Sequence, residues 1–200
     1  MYNFIPLLLL TVASAAAAIR LRKERLVTFW LLWSGLIHLI MEGSYGLFPN
    51  EVKTRAATTF TERMFETSSV LSWFDPRWWA TLYEQYARYD ARYALHDPLV
   101  IFFCHTELLL GPVCFLLVYL IVKSHPLRHP VQLMLCTAQF YGTVLYFFSP
   151  LIYGTWSKVM TPDSFELIVF VLILNGLWLA VPAAMMVQST RALVGAAPRM

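Results

Sequence analysis

The chain has 200 residues, of which 58% are hydrophobic and 14% charged, and its formal charge is +3. A soluble domain carries charge on about a quarter of its residues, so this composition excludes an ordinary soluble globule, and the mean hydropathy of +0.59 places the chain among integral membrane proteins. So small and scattered a charge also excludes a nucleic-acid surface. Cys104, Cys114 and Cys136 stand within apolar runs at no zinc or haem spacing, which makes them small packing residues.

The apolar residues come in blocks bounded by charges or prolines, and a helix needs about 20 residues to cross a bilayer. The blocks predict one transmembrane domain over 1–200, an all-α bundle of five membrane-spanning helices with an interior polar pocket and an aromatic-rich lumenal segment. The first block, 2–19, ends in an alanine run that imitates a signal-peptide cleavage site, but Arg20, Arg22, Lys23 and Arg25 follow it rather than precede it. It is therefore read as a membrane helix with a lumenal N-terminus and a cytoplasmic basic loop. The second helix, 26–47, carries His38 and Glu42 among the small residues Ser34, Gly35 and Gly43. Residues 48–97 are mixed in charge but rich in Trp and Tyr, which suits short helices at the lumenal membrane interface. The third helix, 98–122, opens on a proline at a position where its missing N–H costs nothing and carries His105, Thr106 and Glu107 ahead of Gly111 and Pro112. The fourth, 131–153, bears Gln139 and Thr143, and the fifth, 165–187, bears Asn175 and Trp178, leaving the C-terminus cytoplasmic.

His38 and Glu42 are four apart and share one helix face. An ionisable group at membrane depth costs several kcal/mol unless it is paired, hydrated or turned to a protein interior. Four spans carry polar groups at comparable depth: His38 and Glu42, His105 and Glu107, Gln139 and Thr143, and Asn175. They are expected to converge, because facing lipid would leave each unpaired. One reading of that polar floor is acid–base catalysis, in which a carboxyl group gives a proton to a substrate, a second group removes one, and Trp178 offers a π-face to a developing cation. The other reading, for Gln139, Thr143 and Asn175 especially, is hydrogen-bonding between helices. His105 also suits the rim. No phosphate loop, HExxH pair or dinucleotide fingerprint is present, and His38 with Glu42 offers a metal only two ligands. The expectation is chemistry without metal or cofactor.

Four segments carry a resemblance to a known family over about residues 30–182. They are Ile37 to Gly43; Tyr86 to Tyr93 with Asp97; His125-Pro126-Leu127-Arg128 leading to Gln139-Phe140-Tyr141-Gly142 and Val144 to Phe147; and Asn175-Gly176-Leu177-Trp178 before Pro182. Together they resemble the emopamil-binding protein family, the membrane sterol delta-8 to delta-7 isomerases with relatives that include the sigma-two receptor. The resemblance implies that His38, Glu42, Glu107 and Asn175 are catalytic, the histidine and carboxylates moving a proton and the amide positioning them. It implies that Trp178 steadies a cation, with Thr143, Gln139, Tyr141, His105 and Tyr146 as substrate-contacting candidates. It further implies location in the endoplasmic reticulum.

Two departures bear on the substrate. Glu107 stands four residues before Gly111, where the sterol isomerases place their glutamate about two turns before the Gly-Pro pair, a displacement of about 5 to 6 Å along the helix. Thr143 stands where the family has an acid, and Pro150 replaces another. Three functions are consistent with the pattern: a sterol isomerase, a terpenoid or meroterpenoid isomerase or cyclase of the same family, and a non-enzymatic sterol or amine binder. The partners implied are a lipophilic sterol or terpenoid and membrane lipid, and the small helix residues permit a homodimer.

Overall fold

In the computed structural model, which describes residues 3–53 and 60–196, the apolar blocks form five helices long and apolar enough to cross a membrane: α1 (Phe4–Leu21), α2 (Arg25–Leu47), α3 (Pro98–Val122), α4 (Arg128–Ile152) and α5 (Ser164–Ala196). No strand occurs among the described residues, where an isolated backbone bridge joins Asp90 to Met160. The fold is an all-α membrane bundle. Leu8, Leu9, Phe102, Leu109, Phe148 and Ile168 are exposed on its outside, an arrangement that only lipid makes favourable.

Local chemistry accounts for where the helices begin and stop. The α1–α2 turn puts Arg22 and Glu24 at positive φ (58° and 39°), and Thr28 closes it by donating its hydroxyl to the Lys23 carbonyl at 2.8 Å. Asp97 accepts the N–H groups of Leu99 and Val100 at 2.9 and 3.3 Å and so caps α3, with Pro98 in its first turn. Asp163 does the same for α5 through the Glu166 N–H at 2.8 Å. α4 starts at Arg128 rather than 131, because Pro130 falls in a first turn that needs no N–H from it. α5 runs on to Ala196, past the apolar block that ended at 187. Hydropathy reports the lipid-crossing part of a helix, whereas Gln188–Ala196 continues it with mostly helix-tolerant residues.

Two stretches depart from α-geometry. Ile37–Glu42 within α2 and Leu167–Ile173 within α5 are π-helical, a wide turn that is rare and concentrates at functional sites. The segment between α2 and α3 folds into short helices, including Pro76–Thr81 and Tyr83–Tyr89. Its tyrosines turn inward rather than lining a rim. Tyr45, Tyr83 and Tyr93 form a cluster with ring centroids 4.9 to 5.0 Å apart, and the Tyr45 hydroxyl donates to the Tyr93 carbonyl at 2.8 Å.

α2 lies close to α3 because glycines meet there. A Cβ on Gly35 would stand 3.0 Å from Cys114 Cβ, and one on Gly46 would stand 3.0 Å from the Cys104 carbonyl carbon. These small residues are thus used within the chain. Cys104 and Cys114 fill the same contact as free, buried thiols, as their apolar surroundings predict. Because the obstacle at Gly46 is backbone, Gly46→Ala is expected to destabilise the bundle by about 1–3 kcal/mol. Gly176 has open space around its Cα, and Gly176→Ala is expected to be neutral or stabilising by up to about 1 kcal/mol. Thermal unfolding in detergent separates the two.

Candidate active site

The π-turn sets His38 and Glu42 on the inner face of α2, with the Gly43 N–H donating to the His38 carbonyl. His38 is 1% exposed. Its Nδ1 is hydrogen-bonded to Glu42 Oε2, and Glu107 Oε2 from α3 lies 2.9 Å from the same nitrogen. The imidazole has one hydrogen at Nδ1 for two carboxylate oxygens. The contact with Glu42 has hydrogen-bond geometry, and Glu107 Oε2 is left beside the nitrogen without a hydrogen bond of its own.

The far side of the ring is held as closely. Ser34 Oγ and Gln139 Nε2 lie 2.9 and 2.8 Å from His38 Nε2, and Gln139 Nε2 is 3.1 Å from Ser34 Oγ. With Gln139 donating, Nε2 presents a lone pair and the ring hydrogen is on Nδ1. Turning the Gln139 amide end for end would bring its carbonyl, which otherwise lacks a partner, to the same nitrogen and suit an imidazolium. Gln139 therefore meets either protonation state of His38.

Two cavities flank this cluster. The larger, about 280 Å³, is lined by Trp33, Met41, Tyr86 and Phe170 among others, and α1 contributes Leu7 and Thr11. The smaller, about 90 Å³, is lined by Glu107, Gln139, Thr143 and Tyr146. Glu42, Tyr93, Asn175 and Trp178 belong to both and form the waist between them. The Trp178 ring sits 6.3 Å from the imidazole and is braced by Trp30 and Trp33 at 5.2 and 5.6 Å.

The ten sequence candidates separate accordingly. His38, Glu42, Glu107 and Gln139 meet directly, and Asn175 and Trp178 share their cavity. The expectation that the amide positions the histidine and carboxylates is replaced by another geometry: Asn175 Nδ2 donates to Tyr86 Oη and to the Val171 carbonyl, each at 2.7 Å. Thr143 donates to the Gln139 carbonyl at 2.9 Å, and Tyr146 donates to Asp90. Two candidates do not join. His105 is exposed and turned back on the Ile101 carbonyl at 2.9 Å, and Tyr141 is 60% exposed; their positions on α3 and α4 carry them to the outside.

The argument that a metal would find only two ligands also falls, because His38, Glu42 and Glu107 place one donor atom each within 4.8 Å of one another. Sequence reasoning missed Ser34, although 34, 38 and 42 repeat every four residues. It also missed Tyr86 as a wall of the cavity, since a tyrosine in an aromatic-rich connecting segment looks interfacial.

A polytopic all-α membrane protein with a His–Glu–Glu cluster, built on a buried histidine, between two cavities is the class defined by fold and site. Residues 78–189 match the profile of EBP, the EXPERA (EXPanded EBP superfamily) domain, and the chain belongs to this family. It is 26% identical over 196 residues to a protoglabretal synthase of Citrus sinensis, covering 91% of this chain and 84% of that protein. It is 28% identical over 176 residues to the 3-beta-hydroxysteroid-Delta(8),Delta(7)-isomerase of Mus musculus (86% and 66%). It is 26% identical over 180 residues to an isomeliandiol synthase of Melia azedarach (85% and 76%).

The placement of the candidates makes a contrast. Gln139→Leu removes one of two partners of His38 Nε2 and is expected to lower turnover about tenfold or more, since a lost buried hydrogen bond costs about 1–3 kcal/mol. His105→Ala and Tyr141→Ala are expected to stay within about twofold of the parent. Product formed by membranes carrying each variant, at matched protein level, measures this.

Proposed function

We propose that the chain is an isomerase that moves a proton within a lipophilic sterol or terpenoid, shifting a double bond or closing a ring, inside the membrane and without a cofactor. The observation that carries this reading is the shared His38 Nδ1, which couples Glu42 and Glu107 at the waist of an apolar cavity. A single carboxylate could bind a cationic ligand; two carboxylates joined through an imidazole can hold one proton to give and one site to receive.

In the proposed mechanism one carboxyl group protonates an alkene carbon, or an epoxide or carbonyl oxygen, of a substrate lying across the waist. The cation that forms faces the Trp178 ring. Loss of a proton from a neighbouring carbon to the second carboxylate, or attack by an internal alkene or hydroxyl followed by that loss, returns a neutral isomer. His38 carries the proton between Glu42 and Glu107, and Gln139 follows its change of state. Atoms balance, since one proton enters and one leaves.

A second reading, a cyclase without sterol activity, is favoured by one feature. The smaller cavity has Thr143 where the resemblance expects an acid, and its hydroxyl is spent on the Gln139 carbonyl. The synthases among the relatives support the same reading. On either, the substrate is sterol or terpenoid, the chain works as a single domain, and it resides in the endoplasmic reticulum with its N-terminus lumenal and its C-terminus cytoplasmic. A homodimer would have to use faces other than those of Gly35, Gly43 and Gly46, which pack within the chain.

Expression in cells lacking their own delta-8 to delta-7 isomerase, with sterols analysed by mass spectrometry, tests the proposal. Restored delta-7 sterols, lost in His38→Ala, mark a sterol isomerase. Unchanged sterols, with a new isomer from co-expressed terpenoid precursors that His38→Ala abolishes, mark the cyclase. Substrate retained unchanged in both would leave a binder and overturn the proposal. Because the three donor atoms could also hold a divalent cation, the same membranes are assayed after dialysis against EDTA, and turnover is expected to be unchanged; activity restored only by a metal would contradict the proton-carrying role of Nδ1.

A further inference from the structure

The segment between α2 and α3 contributes two tyrosines, Tyr83 and Tyr93, to the wall of the larger cavity. Each is 8% exposed. Their rings stack with centroids 4.9 Å apart and planes inclined by 21°, and Tyr45 packs against both. A tyrosine buried to this degree normally has its hydroxyl committed to a partner. The neighbouring ones do, since Tyr45 donates to the Tyr93 carbonyl and Tyr146 to Asp90. Among the described residues neither the Tyr83 nor the Tyr93 hydroxyl makes a hydrogen bond, and neither oxygen is sealed in the packing. The open space that both residues line is the larger cavity.

Other polar groups of that wall are engaged. Thr11 donates its hydroxyl to the Leu7 carbonyl and accepts from Trp33 Nε1. Asn175 gives its amide hydrogens to Tyr86 and the Val171 carbonyl, and Glu42 pairs with His38. Trp33, Ile37, Leu177 and Trp178 make another part of the wall apolar. Tyr45, on which the two tyrosines pack, stands about 18 Å along α2 from Trp33, so the free hydroxyls and the indoles belong to opposite ends. Burial, joined at Tyr83 by the charge of Glu42, pushes both phenols well above the ordinary tyrosine range. Each therefore keeps its hydrogen and is a donor. A buried donor without a partner is costly, and an oxygen on a ligand removes that cost.

We propose that Tyr83 and Tyr93 bind an oxygen of the substrate, a hydroxyl, epoxide or carbonyl oxygen that accepts from their hydroxyls, while its hydrocarbon body lies toward Trp33 and Trp178. The cavity thus selects oxygenated sterols or terpenoids over hydrocarbons of the same shape. The inference rests on the cavity being the substrate site of the proposed isomerase, and it fixes which end of the substrate faces the tyrosines.

Binding to the full chain in lipid nanodiscs tests this without turnover. The probes are a saturated steroid with one ketone at an end of its ring system and the same steroid without the ketone. The parent chain is expected to bind the ketone about tenfold more tightly; equal affinities would leave the hydroxyls to water and overturn the inference. Tyr83→Phe and Tyr93→Phe keep the rings and remove the hydroxyls. Each is expected to weaken the ketone about three- to tenfold and to leave the hydrocarbon within about twofold, and the double variant is expected to bind both probes alike. Equal losses for the two probes, or an unchanged ketone affinity in both variants, would assign the tyrosines to packing alone. Should a variant fail to fold, the infrared carbonyl stretch of the ketone bound to the parent decides. It is expected at lower wavenumber than in hexane, and a stretch at the hexane position would rule out the hydrogen bond. A chain that prefers the ketone but turns over nothing would keep this inference and lose the isomerase; turnover without the preference would do the reverse.

Discussion

One ring nitrogen, His38 Nδ1, has one hydrogen to place between two carboxylates, and the rest of the bundle is built around that shortage. Each ionisable side chain at membrane depth costs about 2.5–3.5 kcal/mol on insertion scales. Three together are tolerable only if they compensate one another and if no polar atom of the imidazole is left bare. Accordingly Nδ1 faces Glu42 and Glu107, and Nε2 faces Ser34 and Gln139. The carboxylate oxygen left short of a hydrogen is Glu107 Oε2, and Glu107 is one of the residues that line the smaller cavity.

That arrangement places demands on the backbone. Glu107 stands on α3 and His38 on α2, so the two helices must approach more closely than ordinary side chains allow, and Gly35, Gly46 and Gly111 sit where a Cβ would collide. The π-turn at Ile37–Glu42 widens α2 at the histidine itself, and a second π-turn in α5 ends just before Asn175. Both irregularities border the cavity, in keeping with the concentration of π-turns at functional sites. At a distance from the cluster, the buried Asp90–Arg92 pair holds the hydroxyl of Tyr146. A pair of this kind is worth little as a source of stability. Its value here is directional, because a carboxylate can only accept and so fixes the way the Tyr146 hydroxyl points.

Much of this was legible in the residues. Burial cost points to His38, Glu42, His105 and Glu107, of which all but His105 meet in the cluster, and period and block length are sufficient for five helices. The displaced position of Glu107 was visible too, but not its consequence: one turn along α3 brings it onto His38 Nδ1 rather than away from it, which only the close α2–α3 approach determines. Gln139, expected to contact the substrate, is buried, pairs with the histidine and lines the smaller cavity. His105 and Tyr141 look equally polar in sequence and face outward, since a register on a helix surface depends on its neighbours. Tyr86 was hidden because aromatic residues in a connecting segment suit a membrane interface as well as a cavity wall, and composition cannot tell the two apart.

The claim that Glu42 and Glu107 act as one unit through His38 is most directly tested by turnover of Glu42→Gln, Glu107→Gln and the double variant on the substrate identified for the parent chain. Groups that act together fail together. The account predicts that each single substitution lowers kcat about a hundredfold or more, to nearly the level of the double. A Glu107→Gln variant with the turnover of the parent, or losses that multiply in the double, would contradict it.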